Sequence, residues 1–224
     1  MITDLALLRL LQLASPGLPI GMYSYSQGLE RAVEDGWITN ADEAGSWLAA
    51  ILARCQARVD LPVLARLYDA WLNDDTALAG HWNAVLMACR ETAELRSEDA
   101  QTGQALVRLL EKLEPDGARD SLGKGQITLA AAFSLAAVRM AIPKREAMTG
   151  YLWGWLENQV LCAVKLVPLG QVAGQRLLRD LATSIPEQVG LALTLADDDI
   201  GGSVFGLALA SSRHEMQYSR LFRS

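Results

Sequence analysis

A helix-breaking stretch close to the amino terminus reads Ser15-Pro16-Gly17-Leu18-Pro19-Ile20-Gly21-Met22-Tyr23-Ser24-Tyr25-Ser26-Gln27-Gly28-Leu29-Glu30. Pro16 and Pro19 fix the φ angle and push the residues before them toward extended conformations. Gly17 and Gly21 permit positive φ angles. Together these four residues predict that a first helix ends near Leu13 and that a shaped loop follows it.

The second half of this stretch predicts the start of another helix. Ser24 or Ser26 can act as its amino-terminal cap, because a serine hydroxyl accepts a hydrogen bond from a backbone N–H of the first turn. Tyr23, Tyr25 and several hydroxyl groups then gather at the amino-terminal end of that helix. The pattern alone favours a helix-turn-helix corner with buried aromatic side chains, since glycine and proline punctuate most helix connections.

The rest of the chain shows helical spacing of its apolar residues. Over residues 44–55 they recur at intervals of three and four, behind Asn40 as a cap and Glu43 as its capping-box partner. Asp60 and Pro62 are then expected to open a new helix. Further helices are predicted over residues 76–95, 99–113, 126–140, 145–166, 170–182, 186–195 and 203–212. No alternating strand pattern is visible, so the sequence predicts an all-α bundle of about ten helices.

The chain is predicted to form one domain over residues 1–224. Its longest expected loop, residues 114–125, contains Pro115 and several glycines among charged residues. The helices predicted after that loop, 126–140 and 145–166, are apolar on most faces and need the amphipathic first half as their cover. We therefore expect one core rather than two domains joined by a linker.

Composition argues against several classes of protein. The 20 basic and 26 acidic residues give a net charge of -6, without the basic surface that nucleic-acid binding requires. The longest nearly uncharged run, residues 126–138, is well short of the roughly 20 residues that span a bilayer. Arg9 within the first leucine run argues against a signal peptide. Cys55, Cys89 and Cys162 are far apart among apolar residues, as in a reducing cytoplasm.

Three stretches look like functional motifs, but none of them supports a functional site. Residues 117–125 resemble a phosphate-binding P-loop but have five residues between the glycines and a glycine at the magnesium-binding position. His214 begins a zinc-protease-like pattern in which Tyr218 replaces the second histidine. The aspartates at 197–199 are more typical of a solvated loop. Since His81 is the only other histidine, we predict no catalytic residue, metal site or cofactor, and no tight binding of GTP or nickel by the chain alone.

Lys165 interrupts an apolar run between Val160 and Pro168. Its ammonium group must either reach solvent along the apolar surface or meet a buried partner, and the first is favoured. A bundle of this kind could bind a small ligand in an apolar pocket, for which Lys165 is the residue to inspect. It could also be a helical scaffold, since a mean hydropathy of +0.15 with 51% hydrophobic residues indicates exposed apolar patches for partners.

Three separated motifs carry a family resemblance. They are Ser15-Pro16-x-x-Pro19-x-Gly21 with its continuation through Glu30, Ala163-Val164-Lys165-Leu166-x-Pro168-Leu169-Gly170-Gln171-x-x-Gly174-Gln175, and the ending Gln217-Tyr218-Ser219-Arg220-Leu221-Phe222-Arg223-Ser224. In this order, on a helical chain of this length, they resemble the urease accessory proteins of the UreF family. Met22-Tyr23 departs from the family's usual Gly or Ala followed by Phe or Tyr, and it brings a bulkier side chain into that corner.

The resemblance implies a cytoplasmic, non-catalytic, all-α protein that joins UreD (also called UreH) and the GTPase UreG on apo-urease. It further implies a role in delivering nickel to the lysine-carbamate dinickel site, and a homodimer within the accessory complex. A helical scaffold with no urease role would be distinguished by its failure to co-purify with urease subunits.

The surface that faces UreG is expected around five polar residues of the first two motifs, because packing alone does not require them. These residues are Ser26, Glu30, Lys165, Gln171 and Gln175.

The tail, residues 213–224, is expected to be a mobile arm that docks on UreD. It has a local charge of +2 and combines arginines with apolar anchors, a composition that is common at interfaces. Its predicted docking residues are Tyr218, Arg220, Leu221, Phe222 and Arg223. Deletion of residues 217–224 is expected to abolish UreD binding and spare the fold. The alternative is a tail that packs on its own bundle.

Overall fold

The computed structural model describes residues 2–113 and 125–224, and within them the chain forms helices without strands. The all-α prediction is confirmed. Apart from Gly125, the predicted loop and its P-loop-like stretch lie outside the described residues. The α-helices are α1 Asp4–Leu13, α2 Leu29–Glu34, α3 Ala41–Ile51, α4 Leu61–Leu72, α5 Thr76–Ala88, α6 Ala93–Leu113, α7 Leu129–Arg139, α8 Lys144–Leu166, α9 Gln171–Ala182, α10 Ile185–Thr194 and α11 Phe205–His214.

A π-helical segment, Leu52–Asp60, joins α3 to α4 without a break. The predicted start of a new helix at Asp60 is therefore wrong. Asp60 has helical dihedral angles and makes no side-chain cap. The helix tolerates Pro62 because this residue follows the wider turn, where the Leu61 N–H bonds to the Gln56 carbonyl, five residues back.

The helix predicted over residues 76–95 ends at Ala88, and α6 begins at Ala93, earlier than the predicted residue 99. Thr92 explains the second boundary, because its hydroxyl oxygen accepts a hydrogen bond from the Leu95 N–H at 3.2 Å. The break between α5 and α6 frees Arg90 to point inward, where it pairs with buried aspartates.

The start of α2 differs from the predicted serine cap. Gly28 occupies the cap position with φ of 76°, and a side chain there would meet the Ser211 backbone nitrogen at 2.9 Å. Ser26 lies before the cap position but still stabilises the first turn of α2, since its Oγ accepts a hydrogen bond from the Glu30 N–H at 3.3 Å. Tyr25 is buried as expected, whereas Tyr23 is exposed.

The core lies around α7 and α8, which are buried on most faces as predicted. α4 and α6 pack on α7, while α9, α10 and α1 pack on α8. Buried side chains from both halves of the chain share one hydrophobic cluster. A second cluster joins α2, the end of α8 and Phe222 of the tail. Among the described residues, no helix is long and apolar enough to cross a membrane.

Candidate functional site

The tail returns to the helix-breaking stretch and pairs with its backbone. The Ser26 N–H and hydroxyl both donate to the backbone oxygen of Ser224, at 2.8 and 2.6 Å. The Arg223 N–H donates to the Ser24 carbonyl at 2.8 Å. Ser224 is buried as a result. The first and last motifs of the sequence therefore form one structure, which we call the latch, comprising residues 24–30 and 213–224.

Glu30 binds the tail through both oxygens of its buried carboxylate. Oε1 accepts a hydrogen bond from the Leu221 N–H at 2.6 Å, and Oε2 accepts one from the Phe222 N–H at 2.8 Å. These contacts hold a short irregular segment that has no helix of its own to satisfy its N–H groups. Charge-assisted bonds of this kind are stronger than neutral ones, so Glu30 fixes the path of the tail.

His214 and Arg220 extend the latch to α6. The His214 ring is fully buried, with Nδ1 at 2.8 Å from Glu94 Oε2 and Nε2 at 3.4 Å from Glu30 Oε2. Arg220 donates from Nη1 to Glu94 Oε1 at 2.8 Å and from Nε to the Gln217 carbonyl at 3.0 Å. The stretch that resembled a zinc-protease motif is thus the turn from which the tail departs. The described residues contain no cluster of His, Cys, Asp or Glu arranged to hold a metal ion.

Glu98 of α6 binds both parts of the latch on the side that faces the interior of the bundle. Its carboxylate accepts hydrogen bonds from Gln27 Nε2 at 2.8 Å and from the Ser224 hydroxyl at 2.9 Å. Trp155 Nε1 in turn donates to Gln27 Oε1 at 2.8 Å. Burial raises the pKa of Glu98 to about 7, and the two hydrogen bonds offset only part of that effect.

Comparison with known proteins decides the family. The UreF family model matches residues 38–182. The chain is 54% identical over 223 residues to "Urease accessory protein UreF" of Alkalilimnicola ehrlichii, covering 98% of this chain and 96% of the relative. It is 50% identical over 222 residues to the Pseudomonas putida KT2440 protein of the same name, covering 99% of each. The chain belongs to the UreF family. The resemblance read from the three sequence motifs is therefore confirmed.

In this UreF-family chain the tail is not the free arm that the sequence predicted. It was expected to have few internal contacts, but it is anchored by Glu30, Glu94 and Glu98, in line with the alternative of a tail packed on its own bundle. The sequence could not reveal these anchors because they lie more than a hundred residues from the tail. The tail still exposes apolar side chains, at Met216, Tyr218 and Leu221. Its role in binding UreD stays a prediction.

The five residues expected to face UreG fall into two groups. Ser26 and Glu30 are buried in the latch, so the expectation that packing does not require them is wrong. Lys165, Gln171 and Gln175 are exposed at the end of α8 and the start of α9. Lys165 reaches solvent, as favoured, and its Nζ lies 5.5 Å from the centre of the buried Phe222 ring. The exposed lysine thus adjoins the tail.

Sequence reasoning missed the polar residues inside this UreF-family bundle. Glu98 and Asp99 lie on the same face of α6 as Leu95, Thr102 and Leu106, at helical spacing, and all are buried. Two carboxylates on an apolar stripe indicate buried partners, because an unpaired charge in a core is costly. That spacing was readable from the sequence, although the identity of the partners was not.

Proposed function

We propose that this chain is a non-catalytic urease accessory scaffold. It joins UreD and UreG on apo-urease and assists delivery of nickel to the dinickel site, in the cytoplasm. The relatives' name, urease accessory protein, supports the general role. The observation that carries the scaffold proposal is the latch, because it holds an irregular tail in one conformation and leaves Met216, Tyr218 and Leu221 exposed.

The UreD-facing surface is the exposed side of the tail. Tyr218 is fully exposed and Leu221 is 65% exposed, although the backbone between them is held by Arg220 and Glu30. Large apolar groups on a fixed backbone lose little conformational entropy when a partner covers them. Phe222 is buried and acts from inside, by anchoring the tail to the second hydrophobic cluster.

The UreG-facing surface comprises Lys165, Gln171 and Gln175. In this proposal Ser26 and Glu30 do not touch UreG, and they act by holding the tail beside Lys165. The UreD and UreG surfaces adjoin each other at Phe222, which supports a scaffold that carries both partners.

A homodimer is proposed through the outer face of α1. Leu5, Leu8 and Leu11 follow one another at intervals of three, and each is more than half exposed. Their exposed side chains form an apolar stripe of the kind that marks protein interfaces. A second copy of α1 would cover this stripe across a two-fold axis.

Binding assays with separately purified UreD and UreG test the proposal. The double variant Tyr218→Ala/Leu221→Ala should weaken UreD binding by about 10- to 100-fold, as for central hot-spot residues, with an unchanged melting temperature. Lys165→Ala should weaken UreG binding by a similar factor. Matched controls are Leu72→Ala, an exposed leucine at the end of α4, and Lys112→Ala, an exposed lysine of α6.

Two outcomes would contradict the surface assignments. The first is unchanged UreD affinity in the double variant. The second is a Lys165→Ala protein that melts at a clearly lower temperature while its affinity for UreG is unchanged, which would make Lys165 a structural residue. Absence of binding between the wild-type chain and either partner would reject the scaffold role itself.

A further inference from the structure

A cavity of about 90 Å³ lies beneath the helix-breaking stretch, between the end of α1, the π-helical segment, α6 and α8. Among its described lining residues, Pro16 and Tyr23 are exposed, so the loop that contains them forms the mouth. A single water molecule needs roughly 10 to 15 Å³ of such cavity volume. The cavity is therefore large enough for several waters or for an organic molecule of a few heavy atoms.

The π-helical segment turns a polar group toward this cavity. Gln56 lines the cavity, is 5% exposed, and its Oε1 accepts no hydrogen bond. Buried polar atoms in folded proteins nearly always have a partner, because an unpaired buried polar atom is destabilising. The π-helix itself is rare and often occurs at functional sites. Gln56 therefore offers an acceptor to a ligand that donates a hydrogen bond.

The charged residues that line the cavity include more acidic than basic side chains. The described lining residues include the carboxylates of Asp60, Glu98 and Asp99 and the guanidinium of Arg90. Arg90 bonds to Asp60 Oδ1 at 2.5 Å and to Asp99 Oδ2 at 2.7 Å, so its charge is already shared between two acids. Three carboxylates against one guanidinium leave a net charge of -2 when all are ionised, and of -1 when Glu98, with its raised pKa of about 7, is protonated. This excess favours a positively charged ligand.

Aromatic rings form another wall of the cavity. Phe133 and Tyr151 pack edge to face, with ring centres 5.4 Å apart, and Trp155 lies beside them in the lining. Aromatic faces attract organic cations and pack against alkyl groups. A bare metal ion would not use these rings, and the described residues form no metal-binding cluster.

We propose that this cavity binds a small organic cation of the alkylammonium class. Its N–H groups donate to Gln56 Oε1, its charge balances the excess of carboxylates, and its alkyl part contacts the aromatic wall. None of the exposed residues assigned to UreD or UreG lines the cavity, although its lining shares Gln27 and Glu98 with the contacts that hold the latch.

Isobutylammonium and its neutral analogue isobutanol are suitable probes, because they share the isobutyl group and each can donate a hydrogen bond to Gln56 Oε1, but only isobutylammonium carries a charge. Calorimetry or amide NMR titration of the full chain should show saturable binding of isobutylammonium with one site per chain. Isobutanol should bind at least about tenfold more weakly, since charge-assisted hydrogen bonds are stronger than neutral ones and only the ammonium balances the carboxylates. Absence of saturable isobutylammonium binding, or equal binding of the two probes, would overturn the proposal.

Gln56→Leu removes the unpaired acceptor and should weaken isobutylammonium binding about tenfold. Gln159→Leu is the matched control, because Gln159 is also buried with unpaired amide atoms but does not line the cavity. Ala14→Leu, which fills space in the cavity at the end of α1, should also reduce binding and decides the question if Gln56→Leu does not fold. Wild-type affinity in a folded Gln56→Leu protein, or in Ala14→Leu if that is the folded variant, would show that isobutylammonium binds elsewhere.

Discussion

Glu30 shows how one side chain determines the course of a distant segment. Its two oxygens accept the N–H groups of Leu221 and Phe222, which no helix or strand satisfies. Glu30 as a whole is 7% exposed, so water cannot easily replace its carboxylate. The role of this residue is therefore to build the tail, and any effect on a partner follows from that.

Replacing Glu30 by alanine should destabilise the chain. The substitution leaves two backbone N–H groups in the latch without an acceptor, and an unpaired buried N–H costs about 1–3 kcal/mol. Because the Phe222 bond is buried and the Leu221 bond only partly so, the free energy of unfolding should fall by about 2–4 kcal/mol. Urea unfolding measures it, with the exposed Glu187→Ala as the control. A Glu30→Ala protein as stable as this control, with an equally protease-resistant tail, would show that the latch bonds are dispensable.

Glu98 should make stability depend on pH. Burial raises its pKa in the fold to about 7, above its value of about 4.5 in the unfolded chain, so the fold binds the proton more tightly. The neighbouring Asp99 disfavours ionisation of Glu98 further, and Arg90 partly opposes this effect. The cost of ionising Glu98 therefore grows as pH rises from about 4.5 and becomes constant above about 7.

The Glu98→Gln variant tests this dependence, because glutamine keeps the shape and does not titrate. The free energy of unfolding of the wild type, relative to the variant, should fall between pH 5 and pH 7 and level off by about pH 8. Urea titrations at each pH provide the values, and the other titrating groups cancel in the difference. Parallel pH profiles for the two proteins would mean that Glu98 titrates normally.

At the scale of elements, local patterns predicted helices well and their connections less well. The capping pair of Asn40 and Glu43 placed the start of α3 correctly, because cap and helix are adjacent in sequence. The continuous helix through Pro62 was missed, because a π-helical turn depends on what surrounds it. The early start of α6 was missed because Thr92 gave a weaker signal than the apolar stripe after residue 99.

The crossing of α6 and the start of α7 requires a glycine. A Cβ atom on Gly103 would lie 2.1 Å from the Ile127 carbonyl oxygen and 2.6 Å from the Thr128 carbonyl carbon, both backbone atoms that cannot rotate away. Gly103→Ala should therefore destabilise the chain by about 1–3 kcal/mol or more, as overpacking does. Gly80→Ala is the control, because Gly80 lies within α5 with open space around it.

The unfolding curve of Gly103→Ala should move to lower denaturant concentration, whereas that of Gly80→Ala should not. Alanine at residue 80 should be neutral or stabilise the chain by up to about 1 kcal/mol, because alanine favours the helix more than glycine does. Equal stability of Gly103→Ala and Gly80→Ala would mean that α6 and α7 are not packed as closely as described.

At the scale of the whole molecule, the sequence predicted a helical bundle with central helices α7 and α8 because their apolar residues cover most faces. It did not predict that the two ends of the chain meet, since contacts such as Ser26 with Ser224 join residues 198 positions apart. Polar contacts between residues far apart in the chain produce no periodic pattern in the sequence. Motif resemblance located both ends as important but could not show that they form one structure.

The leucine stripe on α1 supplies the prediction for the assembled protein. Leu8 lies at the centre of this stripe and is 63% exposed. In a monomer its side chain would remain in contact with water, as part of an apolar patch. In a two-fold dimer the same stripe lies on both copies, so one substitution changes the interface twice. Leu8→Asp should therefore shift the chain from dimer to monomer in light scattering coupled to gel filtration, with unchanged helicity. Val172→Asp, at an equally exposed apolar position on α9, should leave the dimer intact. A wild-type chain that is monomeric at all concentrations, or a Leu8→Asp protein that remains dimeric, would remove α1 as the dimer surface.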